Sequence, residues 1–235
     1  MVHSSVKNRY MNKILHVGSL VLLSSLFLFM TSQKKTRVVF FGDSITQQGA
    51  QTGGYIGKID SLLKVKGADN QYELIGAGIG GNKVYDLYLR MDSDVVMKNP
   101  DVVFIYIGVN DVWHKATSGT GTDPDKFEKF YTRIIKILQS KNVKVILCTP
   151  AVIGERSDYT NPQDGDLNFY SNVIRRIATT YNCKLVDLRS IFHDYDVKNN
   201  LENKDRGILT TDRVHLNPAG NLVVAESMLK VLMEK

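Results

Sequence analysis

Arg37-Val38-Val39-Phe40-Phe41-Gly42-Asp43-Ser44-Ile45 is the stretch that decides the fold. Every residue of 38–41 is β-branched or aromatic, the composition of a buried strand, and the glycine and aspartate that follow break it. Ser44 therefore falls on a tight turn at a strand's carboxyl end, the edge where open α/β sheets hold their ligands. A serine there becomes a nucleophile when a base reaches it. Far down the chain, Asp212-Arg213-Val214-His215 offers a histidine with its own orienting carboxylate.

Outward from that strand, four further runs of the same character lie at residues 72–75, 102–107, 143–149 and 184–188. Helix-period segments separate them. One starts at Asp123-Pro124, an N-cap followed by proline at the first helical position, and carries Phe127, Phe130, Tyr131, Ile134 and Leu138 at helical spacing. Another starts at Asn217-Pro218 and carries Leu222, Ala225, Leu229 and Leu232. Alternating strand and helix predicts a five-stranded parallel sheet with helices on both faces, a three-layer α/β/α sandwich. The loops expected after the third and fourth strands, 117–122 and 154–168, leave carboxyl ends and are placed to set specificity.

The first 32 residues read as a targeting segment. Lys7, Arg9 and Lys13 precede the largely apolar run 14–30, and a cleaved signal peptide and a retained membrane anchor both fit. Export is expected, to the periplasm, to the medium or to a membrane anchor facing outward, with residues 33–235 as one catalytic domain. Lys7, Arg9, Lys13, Lys34 and Lys35 supply five of the six excess positive charges, so the remaining body carries only +1. The basic balance thus belongs to targeting, and no nucleic-acid partner is expected. Cys148 ends one predicted strand and Cys183 opens the next, which puts them at opposite ends of neighbouring parallel strands, beyond disulfide reach.

Three strand exits carry unusual chemistry: Ser44, the glycine-rich Gly76-Ala77-Gly78-Ile79-Gly80-Gly81-Asn82, and Gly108-Val109-Asn110-Asp111. In a parallel sheet they share one edge. A nucleophilic hydroxyl, a glycine amide and an asparagine side chain converging there suit acyl transfer, whose tetrahedral intermediate needs donors aimed at its oxyanion.

These segments, with Asp212-Arg213-Val214-His215, resemble the four sequence blocks of the SGNH, or GDSL, hydrolases, in order and with fitting spacing, from about residue 37 to the C-terminus. The resemblance implies a flavodoxin-like fold. It implies Ser44 as nucleophile, His215 as general base, Asp212 as its orienting acid, and an oxyanion hole from the N–H groups of Ser44 and Gly81 and the side-chain amide of Asn110. Asn82 and Lys83 stand where many members carry aspartate and threonine, leaving Gly80 as an alternative donor.

Plainer readings accompany each residue. Ser44 fits a helix N-cap, and Asp43 and Asn110 fit turn formers. Asp111-Val112-Trp113-His114 is a second aspartate–histidine pair at i,i+3; family order favours His215, leaving Trp113 and His114 as substrate-contacting walls of the pocket. His193, in Phe192-His193-Asp194, reads as a loop histidine. Gly76-x-Gly78-x-x-Gly81 matches a dinucleotide fingerprint, but it follows the second strand and no acidic residue closes the next one. Neither a P-loop nor a metal-ligand spacing occurs, so neither cofactor nor metal is expected. The expected activity is hydrolysis of carboxylic esters, with short O-acetyl esters of carbohydrates first. Longer acyl chains, as in a lysophospholipase or thioesterase lined by Trp113, Ile153 and Tyr159, are the alternative enzyme reading. A non-catalytic glycan-binding module is the alternative outside enzymes.

Overall fold

The computed structural model describes residues 34–234. Its five strands are β1 (Thr36–Gly42), β2 (Tyr72–Gly78), β3 (Val102–Tyr106), β4 (Lys144–Cys148) and β5 (Lys184–Val186). All neighbours pair in parallel in the order β2-β1-β3-β4-β5. Among the described residues the eight α-helices are α1 (Ser44–Gly49), α2 (Tyr55–Val65), α3 (Val84–Asp94), α4 (Val109–Ser118), α5 (Pro124–Ser140), α6 (Asp164–Thr180), α7 (Leu188–Asn199) and α8 (Pro218–Met233). The chain steps one way from β1 to β2 and the other way from β2 through β5. Right-handed crossovers then put α2 on one face and α3, α5 and α6 on the other. The return helix α8 packs on α2, while α5 packs on α3 and α6.

Why these residues build that sandwich is plain in the central strands. Val38, Val39, Phe40 and Phe41 of β1 are buried, as is every residue of β3, because helices cover both faces of the sheet. Phe40 and Phe104 stack across the β1–β3 pair with ring centroids 5.1 Å apart. Helix α5 buries Phe127, Tyr131, Ile134 and Leu138 at the expected spacing, with Ile135 beside them. Asp123 begins α5 without capping it, since its carboxylate binds Lys115 and Lys126; Asn217 does cap α8, accepting from the N–H groups of Ala219 and Gly220.

Several expected boundaries and faces shift. Strand β2 runs on through Gly76, Ala77 and Gly78, which pair with Phe40, Phe41 and Gly42. Its glycines mark the close approach of α1, not a strand end. A Cβ at Gly76 would lie 2.6 Å from the Cβ of Ala50, and one at Gly78 would lie 2.1 Å from the backbone nitrogen of Gln47. The fingerprint-like glycines thus seat a helix on the sheet. Strand β5 is only three residues, and Leu188 already opens α7. In α8 the buried residues are Gly220, Val224, Ala225, Met228, Leu229 and Leu232, while Leu222 is exposed. Thr117 and Ser118 belong to α4, residues 164–168 to α6 and His193 to α7, so the loops at the strand exits are shorter than expected.

Cys148 and Cys183 are both free, the first buried and the second half-buried. Register opposes Cys148 to Val186 and Ile146 to Lys184, leaving Cys183 toward the other end of the strand pair. Burial raises both thiols, that of Cys183 to about 11. Among the described residues no helix is long and apolar enough to cross a membrane. The proposed leader, residues 1–32, lies outside the described residues.

Candidate active site

The β1 exit turns sharply because Asp43 caps α1, its Oδ1 accepting the N–H of Ile45 at 2.9 Å. That makes Asp43 the turn former and leaves the hydroxyl of Ser44, the first residue of α1, free of any capping role. Thr210 and Leu216 form a small antiparallel bridge. Between them the chain carries Asp212 and His215 back over the carboxyl edge of the sheet.

There His215 Nε2 lies 3.0 Å from Ser44 Oγ, and His215 Nδ1 lies 2.7 Å from Asp212 Oδ2. Asp212 Oδ1 also accepts the N–H groups of His215 and Val214. Partial burial works to raise the Asp212 carboxyl, but the hydrogen bonds from the His215 ring and these two N–H groups hold it below the usual carboxylate range. An ionised carboxylate only accepts, so Nδ1 carries the imidazole proton and Nε2 accepts from the Ser44 hydroxyl. A proton can then pass from Ser44 to Nε2 while Asp212 stabilises the charged ring.

Facing Ser44 are the other two exits. Gly81 has φ +75°, a backbone that L side chains rarely adopt. Among the described residues its N–H has no hydrogen-bond acceptor. The N–H of Gly80, by contrast, is spent on Gln47 Oε1 at 3.0 Å, which removes Gly80 as the alternative donor. Asn110 is buried, and one of its two amide hydrogens goes to the carbonyl of Asn82 at 3.1 Å, leaving the second available.

The rival pair does not form. Asp111 is fully buried with Oδ1 accepting the N–H of Val84, and burial pushes its carboxyl up to about 6. His114 stands apart from it beside Gly81, where a Cβ on that glycine would lie 3.8 Å from His114 Cε1. Partial burial and the charge of Lys83 lower the pKa of His114. Trp113 spans the two histidines, 5.6 Å from the His114 ring and 6.3 Å from the His215 ring. Both residues therefore flank the site. Ile153 is buried, and Tyr159 stacks on His193 beside a polar cavity of about 270 Å³ whose lining includes Asn168, Asn172 and Arg175. Tyr159, expected to join Trp113 and Ile153 in an apolar lining for long acyl chains, is thus engaged with His193.

Two charged residues beneath the site carried no local sequence signal. Glu155 is buried and accepts three backbone N–H groups, from Ile208, Leu209 and Thr210, just before the Asp212–His215 segment. Arg90 bonds the carbonyls of Gly42 and Ala77 and the side chain of Asn82. Among the described residues no group of three or more histidine, cysteine, aspartate or glutamate side chains could hold a metal ion.

A parallel α/β sandwich with a serine–histidine–carboxylate chain across its carboxyl edge defines a hydrolase working through an activated hydroxyl. The model of the GDSL-like Lipase/Acylhydrolase family matches residues 40–223, and the chain belongs to that family; it is a carboxylic ester hydrolase. It is similar to an acetylxylan esterase of Geobacillus stearothermophilus, 29% identical over 210 residues that cover 83% of this chain and 92% of that protein. The crystal structure of an acetyl xylan esterase is 63% identical and superposes with a TM-score of 0.83, covering 84% of this chain and 100% of the other. An uncharacterized lipoprotein of Bacillus subtilis (strain 168), YqeF, is 25% identical over 86% of this chain and 93% of its own length.

Proposed function

We propose that the enzyme removes short acyl groups, chiefly O-acetyl, from carbohydrates through a covalent acyl-enzyme. Ser44 attacks the ester carbonyl while His215 takes its proton, and Asp212 fixes the imidazole tautomer. The N–H groups of Ser44 and Gly81 and the free amide hydrogen of Asn110 receive the oxyanion. His215 then gives its proton to the departing sugar hydroxyl, and water repeats the sequence on the acyl-enzyme. Trp113 and His114 line the approach.

The observation that carries this reading is the unbroken Ser44–His215–Asp212 hydrogen-bonded chain, at 3.0 and 2.7 Å. Support for the acetyl-carbohydrate substrate comes from two similar proteins that are acetyl xylan esterases. Residues 33–235 are expected to act as the catalytic domain, with residues 1–32 directing export. Fractionating cells that express the full chain tests that location.

The deciding experiment incubates residues 33–235 with acetylated xylooligosaccharides and follows acetate release. Release by wild type and its loss in Ser44→Ala are expected. Wild-type inertness on acetylated sugars, combined with fast cleavage of other esters, overturns the carbohydrate assignment while leaving the chemistry standing.

A further inference from the structure

The proposed oxyanion hole takes its donors from three separate strand exits. Donors for a transition-state charge act only when held within about 0.5 Å of their working positions. Ser44 follows β1, Gly81 follows β2 and Asn110 follows β3, and nothing in the covalent chain fixes these exits relative to one another.

One side chain outside the constellation spans them. Arg90, on α3, donates from Nη2 to the carbonyl of Gly42 at 2.7 Å, two residues before Ser44. Nη1 and Nη2 both reach the carbonyl of Ala77 at 3.1 Å. Nε donates to Asn82 Oδ1 at 2.7 Å, directly after Gly81. The carbonyl of that same Asn82 accepts from Asn110, which brings in the third exit. The fork is itself oriented: Asp94 binds Nη1 at 2.7 Å, and the guanidinium lies 4.6 Å from the centroid of the Phe41 ring. The Arg90 side chain is only 13% exposed. A planar fork with donors at fixed angles can hold three acceptors in a set geometry, which a lysine ammonium cannot reproduce.

We propose that Arg90 is a positioning residue that fixes the oxyanion donors of Ser44, Gly81 and Asn110 relative to one another. The proposal rests on the oxyanion-hole assignment made above. Arg90 touches no reacting atom. It sets the spacing between the β1 exit and the turn at Gly81, and through Asn82 it sets where the Asn110 amide points. Loss of the fork should therefore weaken the transition state and leave ground-state substrate binding nearly alone.

The test compares Arg90→Lys, Asn110→Ala and the double variant on an aryl acetate, with folding checked by circular dichroism. Arg90→Lys should lower kcat by about 10- to 100-fold with KM within about twofold, short of the roughly 100- to 1,000-fold cost of removing a donor outright. Because part of the Arg90 effect passes through Asn110 and the rest through the Ser44 and Gly81 donors, the double variant should lose more than Asn110→Ala but clearly less than the product of the two single losses. Arg90→Ala should regain kcat on addition of guanidinium at millimolar concentration and not on addition of ammonium. Fully multiplied losses in the double variant would reduce Arg90 to a staple of the fold and overturn the proposal. So would a folded Arg90→Lys with wild-type kcat beside an impaired Asn110→Ala. An unimpaired Asn110→Ala would instead remove the oxyanion-hole assignment on which the proposal stands.

Discussion

Glu155 Oε1 accepts the backbone N–H of Thr210 at 2.5 Å, inside the protein and away from solvent. The same carboxylate takes the N–H groups of Leu209 at 2.6 Å and Ile208 at 2.8 Å. Thr210 in turn accepts the N–H of Arg213 at its Oγ1, and Arg213 sits at φ +87°, a conformation costly for a side-chain-bearing residue. The segment that presents Asp212 and His215 is thus tied down at its start by one buried side chain.

Glu155→Gln should therefore damage both stability and catalysis. The amide replaces an acceptor with a donor facing backbone N–H groups, and one such unsatisfied contact costs about 1–3 kcal/mol. In a domain of this size that lowers Tm by several degrees. A displaced His215 should reduce kcat more than it changes KM. A melting curve and aryl acetate kinetics check both; an unchanged Tm would contradict the anchoring role.

His215→Ala should cost far more activity than His114→Ala. Without a base within 3.0 Å of its hydroxyl, Ser44 stays protonated at neutral pH. His114, beside Gly81 and unpaired with Asp111, should alter mainly KM. Steady-state kinetics on a soluble acetyl ester decides between them. If His114→Ala is the dead variant, the roles given to the two histidines are reversed.

The strand at 38–41 and the four sequence blocks were legible because each is a local pattern: a buried run, a turn, an aspartate three residues before a histidine. Helix α5 was legible for the same reason, its apolar residues falling on one narrow face. Leu222 misled because α8 is apolar nearly all round, so periodicity alone did not select its buried face. Gly76 and Gly78 misled because the neighbour that requires a glycine, α1, is distant in sequence. Arg90 and Glu155 left no trace, since the Gly42 carbonyl that the one binds and the Thr210 N–H that the other binds lie 48 and 55 residues away. A lone charged residue declares such a role only once the chain is folded.

Stability should respond to pH through Asp43. Burial, opposed by the Ile45 N–H and aided by the charge of Asp111, pushes its carboxyl from 3.8 up to about 7. The folded protein then keeps a proton that the unfolded chain releases, so Asp43 favours folding at low pH, and this contribution is lost as pH rises from roughly 4 to 7. Asp43→Asn keeps the acceptor for Ile45 and cannot ionise. Its Tm relative to wild type should therefore climb across that window and level off above it. A difference in Tm that stays constant between pH 4 and pH 8 would show that Asp43 does not titrate in the folded protein as described.

Acyl-chain length is the remaining test of substrate class. Trp113 stands edge-on to the His215 ring, 6.3 Å away, as one wall beside the site. Ile153, which a long chain would need to meet, is buried in the core, and Tyr159 is committed to His193. Each methylene left in water forfeits about 0.8 kcal/mol that a lipid-binding groove would supply. The series from acetyl to decanoyl nitrophenyl esters should accordingly be fastest at acetyl or butyryl and fall steeply by octanoyl. Equal kcat/KM for decanoyl and acetyl esters would mean that an apolar channel opens beside Ser44, and would shift the assignment from carbohydrate acetyl esters to lipid substrates.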